Sequence, residues 1–533
     1  MNSDSTDQLK KPILSSNHNL PLIILSGMVT VYGILMLRFI SAAYLDFGDG
    51  NYLYIAWRMT QGVVIYRDIL SPQPPFHLLL GVMLLKLGAL INNPLLAIRI
   101  FTILLRISHA FLIYLICQKL WAESDNKRNI GALAGIIYLF LPIGFWWSRG
   151  FETEPVEITW MLLTLIFFLR NDWQGMTLAG IFSAVGILTN MTFAPYFGFN
   201  ILYLVFGFIY TKYRKQTPVS ELGRYRLLTA YVLPALIILG IVTFLFSWYT
   251  NGQFLQNIIF DQVGTYPKEH TLLYMFGKMK WIGTIILSLE GPLIFACLIG
   301  LYLYSKKINP QSIIGNAKWY VILYSLATLG SFVFATKGGT VDYIFTLGEP
   351  TVAIFSSALI VLLIKKITAY LKPILSWSIG IILLLLLAAP GIRQDILTLW
   401  GTNYELNAAQ MSQVVETIQH YTQPDDMIFA PPYFAFLAER KIVGEFSEQF
   451  VWYMKYANYI RYREGNPKTM DWIAQMANLI ENKQVKLIML NIDPNRGQQT
   501  GQIRPIRQAV EANYVPIGEL EMRNETLTIF LPK

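Results

Sequence analysis

Long apolar stretches recur along this chain up to about residue 392, separated by turn residues or by clusters of Lys and Arg, and this rhythm leaves few options for its fold. In hydrocarbon every backbone N–H and C=O must find a partner within the protein, so apolar runs near twenty residues become membrane-crossing helices. Such runs lie near 21–43, 95–118, 130–147, 155–170, 176–191, 193–211, 228–249, 283–304, 319–336, 342–364 and 373–392. By the twenty-residue criterion they make about eleven spans, some of them short. With 533 residues, 54% of them hydrophobic and 14% charged, the chain is too apolar for a soluble protein and long enough for many spans plus one soluble domain.

Charge then sets the orientation. The formal net charge of +9 does not mark a nucleic-acid partner, because the basic residues fall in short clusters between apolar runs rather than along one face. Lys119, Lys127 and Arg128, then Arg170, then Lys212, Arg214, Lys215, Arg224 and Arg226, then Lys306, Lys307 and Lys318, then Lys365, Lys366 and Lys372 all fall on one side when the N-terminus is cytoplasmic. Residues 76–91, apolar but short and preceded by Pro74-Pro75, would invert every later loop if they spanned, so they are expected as an interfacial or re-entrant helix. The polar segment 1–20 is then a cytoplasmic tail, and the run after it a retained signal anchor. Cys117 and Cys297, both in apolar stretches, offer no disulfide framework or zinc ribbon.

Outside the membrane this topology leaves 44–93, a turn at 148–154, a stretch at 250–282, a tight turn at 337–341 and the segment 393–533. The last changes composition and reads as a small α/β domain. Strands are expected over Asp426–Ala430, Val485–Asn491, Tyr514–Leu520 and Thr526–Leu531, and amphipathic helices over 405–420, 468–483 and 502–511. No internal repeat or low-complexity tract is present.

The chemistry belongs to the external loops. Asp46 and Asp49 follow the first span by about one helical turn, at the head of a helix over Gly50–Gln61 whose face Tyr52, Ile55, Ala56 and Met59 suits the headgroup region. Carboxylates there gain from the helix dipole and serve as base or metal ligand, while Asp49 is equally well placed to be an N-cap. The second turn, Trp146-Trp147-Ser148-Arg149-Gly150-Phe151-Glu152-Thr153-Glu154-Pro155, sets two acids and a cation at the mouth of a span, where an exposed pair would contribute little. His77 begins the re-entrant segment. His18, His109, His270 and His420 are scattered, so no histidine metal site is expected. Tyr266, Lys268, Glu269 and His270 read as a surface connector with a lid as the alternative. The Asn190 and Asn524 glycan-acceptor patterns are too short to carry weight.

Taken in order, the acidic motif after the first span, the helix YLYIAWRMTQG, Tyr66-Arg67-Asp68, the element Pro72 to Pro75, Thr153-Glu154-Pro155, and Lys337-Gly338-Gly339-Thr340-Val341-Asp342-Tyr343 with Glu349-Pro350 resemble the GT-C glycosyltransferases. The nearest branch is the bacterial protein mannosyltransferase and aminoarabinose transferase-like group, and the similarity runs through most of 21–365. The resemblance implies an α-helical polytopic GT-C domain over 21–392 and an extracytoplasmic α/β domain over 393–533. It implies inverting transfer of a sugar from a polyprenyl-phosphate donor to a lipid, glycan or protein acceptor, at the non-cytoplasmic face of a prokaryotic inner membrane. The family's adjacent Asp-Glu pair falls here on Gly48 and Asp49, with Asp46 displaced upstream. Asp46 is favoured as base because Asp49 is the better cap. Gln73 stands where the family commonly has a lysine.

One base suffices for such a displacement, since a lipid phosphate leaves without protonation and needs only charge stabilisation. Arg67, Arg149, Lys337 and Arg58 are the cations expected near the donor phosphate, with a snorkelling anchor as the equal alternative for Arg58. Tyr52, Tyr66, Gln73, His77 and Tyr343 are the expected pocket. Glu152 and Glu154 would orient the acceptor or, with Asp46 or Asp49, hold a divalent ion that the chemistry does not require. Two other readings compete: a lipid-linked glycan transporter, which would place charges near mid-span or break its helices, and an inactive glycan-binding relative. The acids here concentrate in loops.

Overall fold

The computed structural model describes residues 19–40, 48–213, 218–260, 272–306, 317–330, 342–400, 408–447, 450, 467–490, 500–521 and 526–533. Each of the eleven expected apolar segments contains helix. α1 is Leu20–Leu37, α2 Leu53–Thr60, α3 Pro75–Ala89, α4 Pro94–Leu120, α5 Lys127–Leu139, α6 Pro142–Trp147, α7 Thr153–Phe168, α8 Trp173–Thr189, α9 Ala194–Tyr213 and α10 Pro218–Tyr249. α11 is Leu272–Ser305, α12 Ala317–Leu329, α13 Glu349–Thr368 and α14 Pro373–Leu399. Among the described residues seven helices are long and apolar enough to cross a membrane, lying within α1, α4, α9 with the turn before it, α10, α11, α13 and α14. The protein is an integral, multi-pass membrane protein.

The expected span at 130–147 is not one helix. Pro142 cannot continue α5, because it lacks an N–H and its ring opposes the preceding turn, so α5 ends at Leu139 and α6 restarts with the proline at its first turn. The last span runs on to Leu399, past the expected boundary at 392.

Packing follows the apolar character of the helices. α10 and α14 present Leu236, Phe244, Trp248, Ile382 and Leu386 outward, as helices in lipid do. Where helices meet closely, glycine makes room: a Cβ on Gly180 would collide with the Tyr231 carbonyl, and one on Gly300 with the Phe355 carbonyl.

A buried polar knot ties six helices together inside the membrane domain. Arg106 of α4 pairs with Glu349 of α13 at 3.1 Å and donates to the Tyr138 and Leu141 carbonyls, with its guanidinium 4.3 Å from the Tyr138 ring centre. The first amides of α6, which have no partner inside their own helix, donate to these acids: Gly144 N–H to Glu349 at 2.5 Å and Ile143 N–H to Glu290 at 3.2 Å. Asp395 of α14 faces the same group. The expectation that acids concentrate in loops is therefore corrected, since Glu290 and Asp395 lie inside long helices and are tolerated there by facing a cation or helix amides. Gly144 allows this approach, because a Cβ there would run into both Arg106 and Glu349. Gly144→Ala is expected to cost about 1–3 kcal/mol through overpacking, seen as a lowered midpoint in thermal unfolding of the detergent-solubilised protein.

The C-terminal segment forms a five-stranded sheet in the order β2-β1-β3-β5-β4. Its strands are β1 Met427–Phe429, β2 Lys441–Ile442, β3 Leu487–Leu490, β4 Tyr514–Glu521 and β5 Thr526–Pro532. β1 pairs in parallel with β2 and β3, and β5 runs antiparallel between β3 and β4. Its helices are α15 Ala408–Tyr421, α16 Pro432–Leu437, α17 Pro467–Glu481 and α18 Thr500–Asn513. The four strands and three amphipathic helices expected from sequence are present within a few residues. β2 and α16 were not expected, being too short for a periodic signal.

Candidate active site

The turn into α2 begins as a wide helical turn over Gly48–Tyr52 before α2 proper. Asp49 does not cap it. The carboxylate is fully buried and turns away, receiving both terminal nitrogens of Arg99 at 2.6 and 2.8 Å and the Phe151 N–H at 2.9 Å. A bidentate guanidinium is the strongest partner a carboxylate can find here, and it outcompetes a single capping amide. Arg99 also donates to the Arg149 carbonyl at 2.8 Å and to the Tyr433 hydroxyl of α16. One cation thus joins the turn into α2, the α6–α7 turn and α16 of the C-terminal segment. Burial, partly offset by Arg99, pushes the Tyr433 hydroxyl up to about 12, so it stays neutral at physiological pH.

α2 does not lie in a headgroup layer. Leu53, Tyr54, Ile55 and Ala56 are wholly buried, because α3 covers one side and α16 the other. Arg58 is neither a phosphate ligand nor a snorkelling anchor in this arrangement. Its guanidinium meets Glu445 at 2.6 Å, and Tyr54 donates to the same carboxylate at 3.0 Å while accepting the Ile442 N–H at 2.7 Å. Burial first and the nearby Glu445 second hold the Tyr54 hydroxyl protonated, so it remains a donor. Glu445→Gln is expected to lower stability by about 1.5–3 kcal/mol, the worth of hydrogen bonds to a charged group. Earlier protease nicking of the loop before α2 and a lower unfolding midpoint are the readouts.

The α6–α7 turn is buried, not an exposed charge pair. Arg149 stacks on Trp146, 3.8 Å from its ring centre, and faces Phe39 at 4.7 Å, while its Nε donates to the Trp146 carbonyl. Glu154 and Thr153 each accept from the Asn190 side-chain amide, at 3.2 and 3.0 Å, and Glu152 is buried beside them. Glu157, one turn further, accepts from Thr192. His77 is fully buried, stacked 4.1 Å from Phe151 with Nε2 against its carbonyl at 3.2 Å, and Tyr52 meets the imidazole edge-on. α3 keeps Leu79, Met83, Leu87 and Leu90 exposed in a stripe, the apolar outer face expected of an interfacial segment.

Tyr66, in a left-handed conformation at φ 69°, donates to the Gln73 carbonyl and accepts from Asn257 through its own carbonyl. Arg67 is exposed and paired with Asp68, away from the buried acids. Asp46, Lys337 and the connector Tyr266–His270 lie outside the described residues, as does the side chain of Tyr343. Asp49 faces a guanidinium rather than a metal-ligand set, and no group of three His, Cys, Asp or Glu converges among the described residues.

Arg99 was missed from sequence because it sits in an apolar run, where an arginine reads as an orienting charge. The signal was available: an arginine one turn into a span must find an acid.

The arrangement has relatives among solved structures. ArnT from Cupriavidus metallidurans, bound to undecaprenyl phosphate, superposes with a TM-score of 0.57 at 12% identity, over 96% of this chain and 98% of that one. The fold is that of the GT-C glycosyltransferases. The Archaeoglobus fulgidus oligosaccharyltransferase matches this chain in its apo form, with a TM-score of 0.56 at 11% identity over 93% of this chain and 73% of its own. It also does so tethered to an acceptor peptide, at 0.54 and 10% over 97% and 74%. The dolichyl-phosphate-mannose-protein mannosyltransferase family model matches residues 73–252. No curated protein sequence matches.

Proposed function

We propose that this protein is an inverting glycosyltransferase that moves a sugar from a polyprenyl-phosphate donor to a lipid, glycan or protein acceptor at the non-cytoplasmic membrane face. The observation that carries the reading is the buried Asp49–Arg99 pair, set in a GT-C fold and fastening the acidic loop to the α6–α7 turn. The nearly full-length similarity to a polyprenyl-phosphate-bound transferase supports the donor class.

In this reading Asp49 anchors and Asp46 acts. Both oxygens of Asp49 are engaged, so removing a proton from an acceptor would cost it its partners. Asp46, three residues upstream, takes the proton of the acceptor hydroxyl. The freed oxygen attacks the anomeric carbon from the face opposite the phosphate, the carbon–oxygen bond to phosphate breaks, and the lipid phosphate leaves as an anion. Arg149, which is buried, is assigned to that charge, and Lys337 with it from sequence alone.

The acids in α11, α13 and α14 invite a transporter reading, yet Glu349 is fixed by Arg106 and Glu290 by an α6 amide, an arrangement for holding helices still. The deciding experiment incubates purified protein in nanodiscs with a panel of radiolabelled polyprenyl-phosphate sugars. Release or transfer from one donor by wild type, lost in Asp46→Asn, is expected. Donor binding without consumption by wild type would reject the assignment.

A further inference from the structure

At the end of α4 remote from Arg99, four segments enclose a cleft of about 600 Å³ including the part open to solvent. Twenty-two residues of helix separate Arg99 from Trp121, about 33 Å at 1.5 Å per residue, so the cleft lies across the membrane domain from the acidic loop. Trp121 and Tyr304 line the cleft, edge to face with ring centres 5.6 Å apart, and Phe355 backs both rings at 5.9 and 5.5 Å. α11 and α13 approach closely at Gly300, which itself lines the cleft. Its mouth is polar, formed by Ser124 and Asn126 of the α4–α5 turn and Lys365 near the end of α13.

Lys365 is exposed and forms no ion pair among the described residues. The Asn126 side chain does not cap α5. Lys127 and Lys306 stand near the same helix ends, directed at the Ala122 carbonyl and the Tyr302 ring, while Glu123 and Asp125 lie on the same turn.

We infer that this cleft is a binding site for the phosphate headgroup of an anionic membrane phospholipid. Lys365, Asn126 and Ser124 would meet the phosphate, and Trp121, Tyr304 and Leu362 the glycerol and first acyl carbons. A cation with amide and hydroxyl donors suits a phosphodiester, and an aromatic floor between span ends suits the boundary between headgroup and chain. A soluble phosphate would gain nothing from that floor, which decides for a lipid. The inference is independent of the reaction assigned to the opposite face.

The test is native mass spectrometry of the full chain in detergent, titrated with dioleoyl phosphatidylglycerol, with phosphatidylcholine of the same chains, and with inorganic phosphate. Phosphatidylglycerol is expected to bind at least about fivefold more tightly than phosphatidylcholine, the equivalent of about 1 kcal/mol for one juxtamembrane cation. Lys365→Gln should abolish that preference, Lys365→Arg should keep it, and Lys366→Gln, outside the cleft, should leave it unchanged. Equal binding of the two lipids, an unaltered preference in Lys365→Gln, or displacement of the lipid by inorganic phosphate at equal concentration would each overturn the assignment.

Discussion

Arg99→Met is expected to cost about 3–5 kcal/mol and to leave little protein that survives extraction in folded form. The reason is less the lost attraction than what stays behind: Asp49, wholly buried, would keep the Phe151 amide but lose both guanidinium hydrogen bonds and its counter-charge. Tyr433 and the Arg149 carbonyl would lose the donor that joins them, so three segments come apart at one atom group. Lysine cannot substitute, since a single ammonium cannot present two parallel N–H groups to one carboxylate while also reaching the Arg149 carbonyl. Combining Arg99→Met with Asp49→Leu separates charge burial from packing. The double variant should recover a substantial part of the lost stability, and thermal unfolding of the four proteins of the cycle measures it. A double variant no more stable than Arg99→Met would show that the ion pair is not what holds the turn.

Asp46→Asn is expected to lower turnover by about 10²–10⁴-fold while the protein folds and binds donor normally, as for loss of a general base. Asp49→Asn should behave differently. It removes the counter-charge of Arg99, so loss of activity would come with loss of stability. Measuring turnover, donor affinity and unfolding midpoint for both variants separates base from anchor. If Asp46→Asn kept wild-type turnover while Asp49→Asn lost it without unfolding, the roles would be reversed.

Much of this was legible in the residues. Span-length apolar runs fixed the helices, since nothing else satisfies the backbone in lipid, and the outer strands followed from alternation and β-branched content. Asp49 and the α6–α7 turn were singled out by their placement at span ends. What sequence could not supply was pairing at a distance. Asp49 meets Arg99 across fifty residues, Arg106 meets Glu349 across 243, and Arg58 meets Glu445 across 387. Each partner looked locally like something commoner: a cap, an orienting cation, a surface charge. α2 was placed at the lipid surface for the same reason, because its apolar face was visible and the α16 helix that covers it was not.

Tyr54 and Glu445 are separated by 391 residues, so α2 is completed by a segment synthesised long after it. Through most of synthesis the acidic loop has no outer wall, Arg99 has no Tyr433, and the face of α2 that α16 will cover stays bare. A chain cut short of α16 would thus carry Asp49 and Arg99 without Tyr433 and leave one side of α2 uncovered.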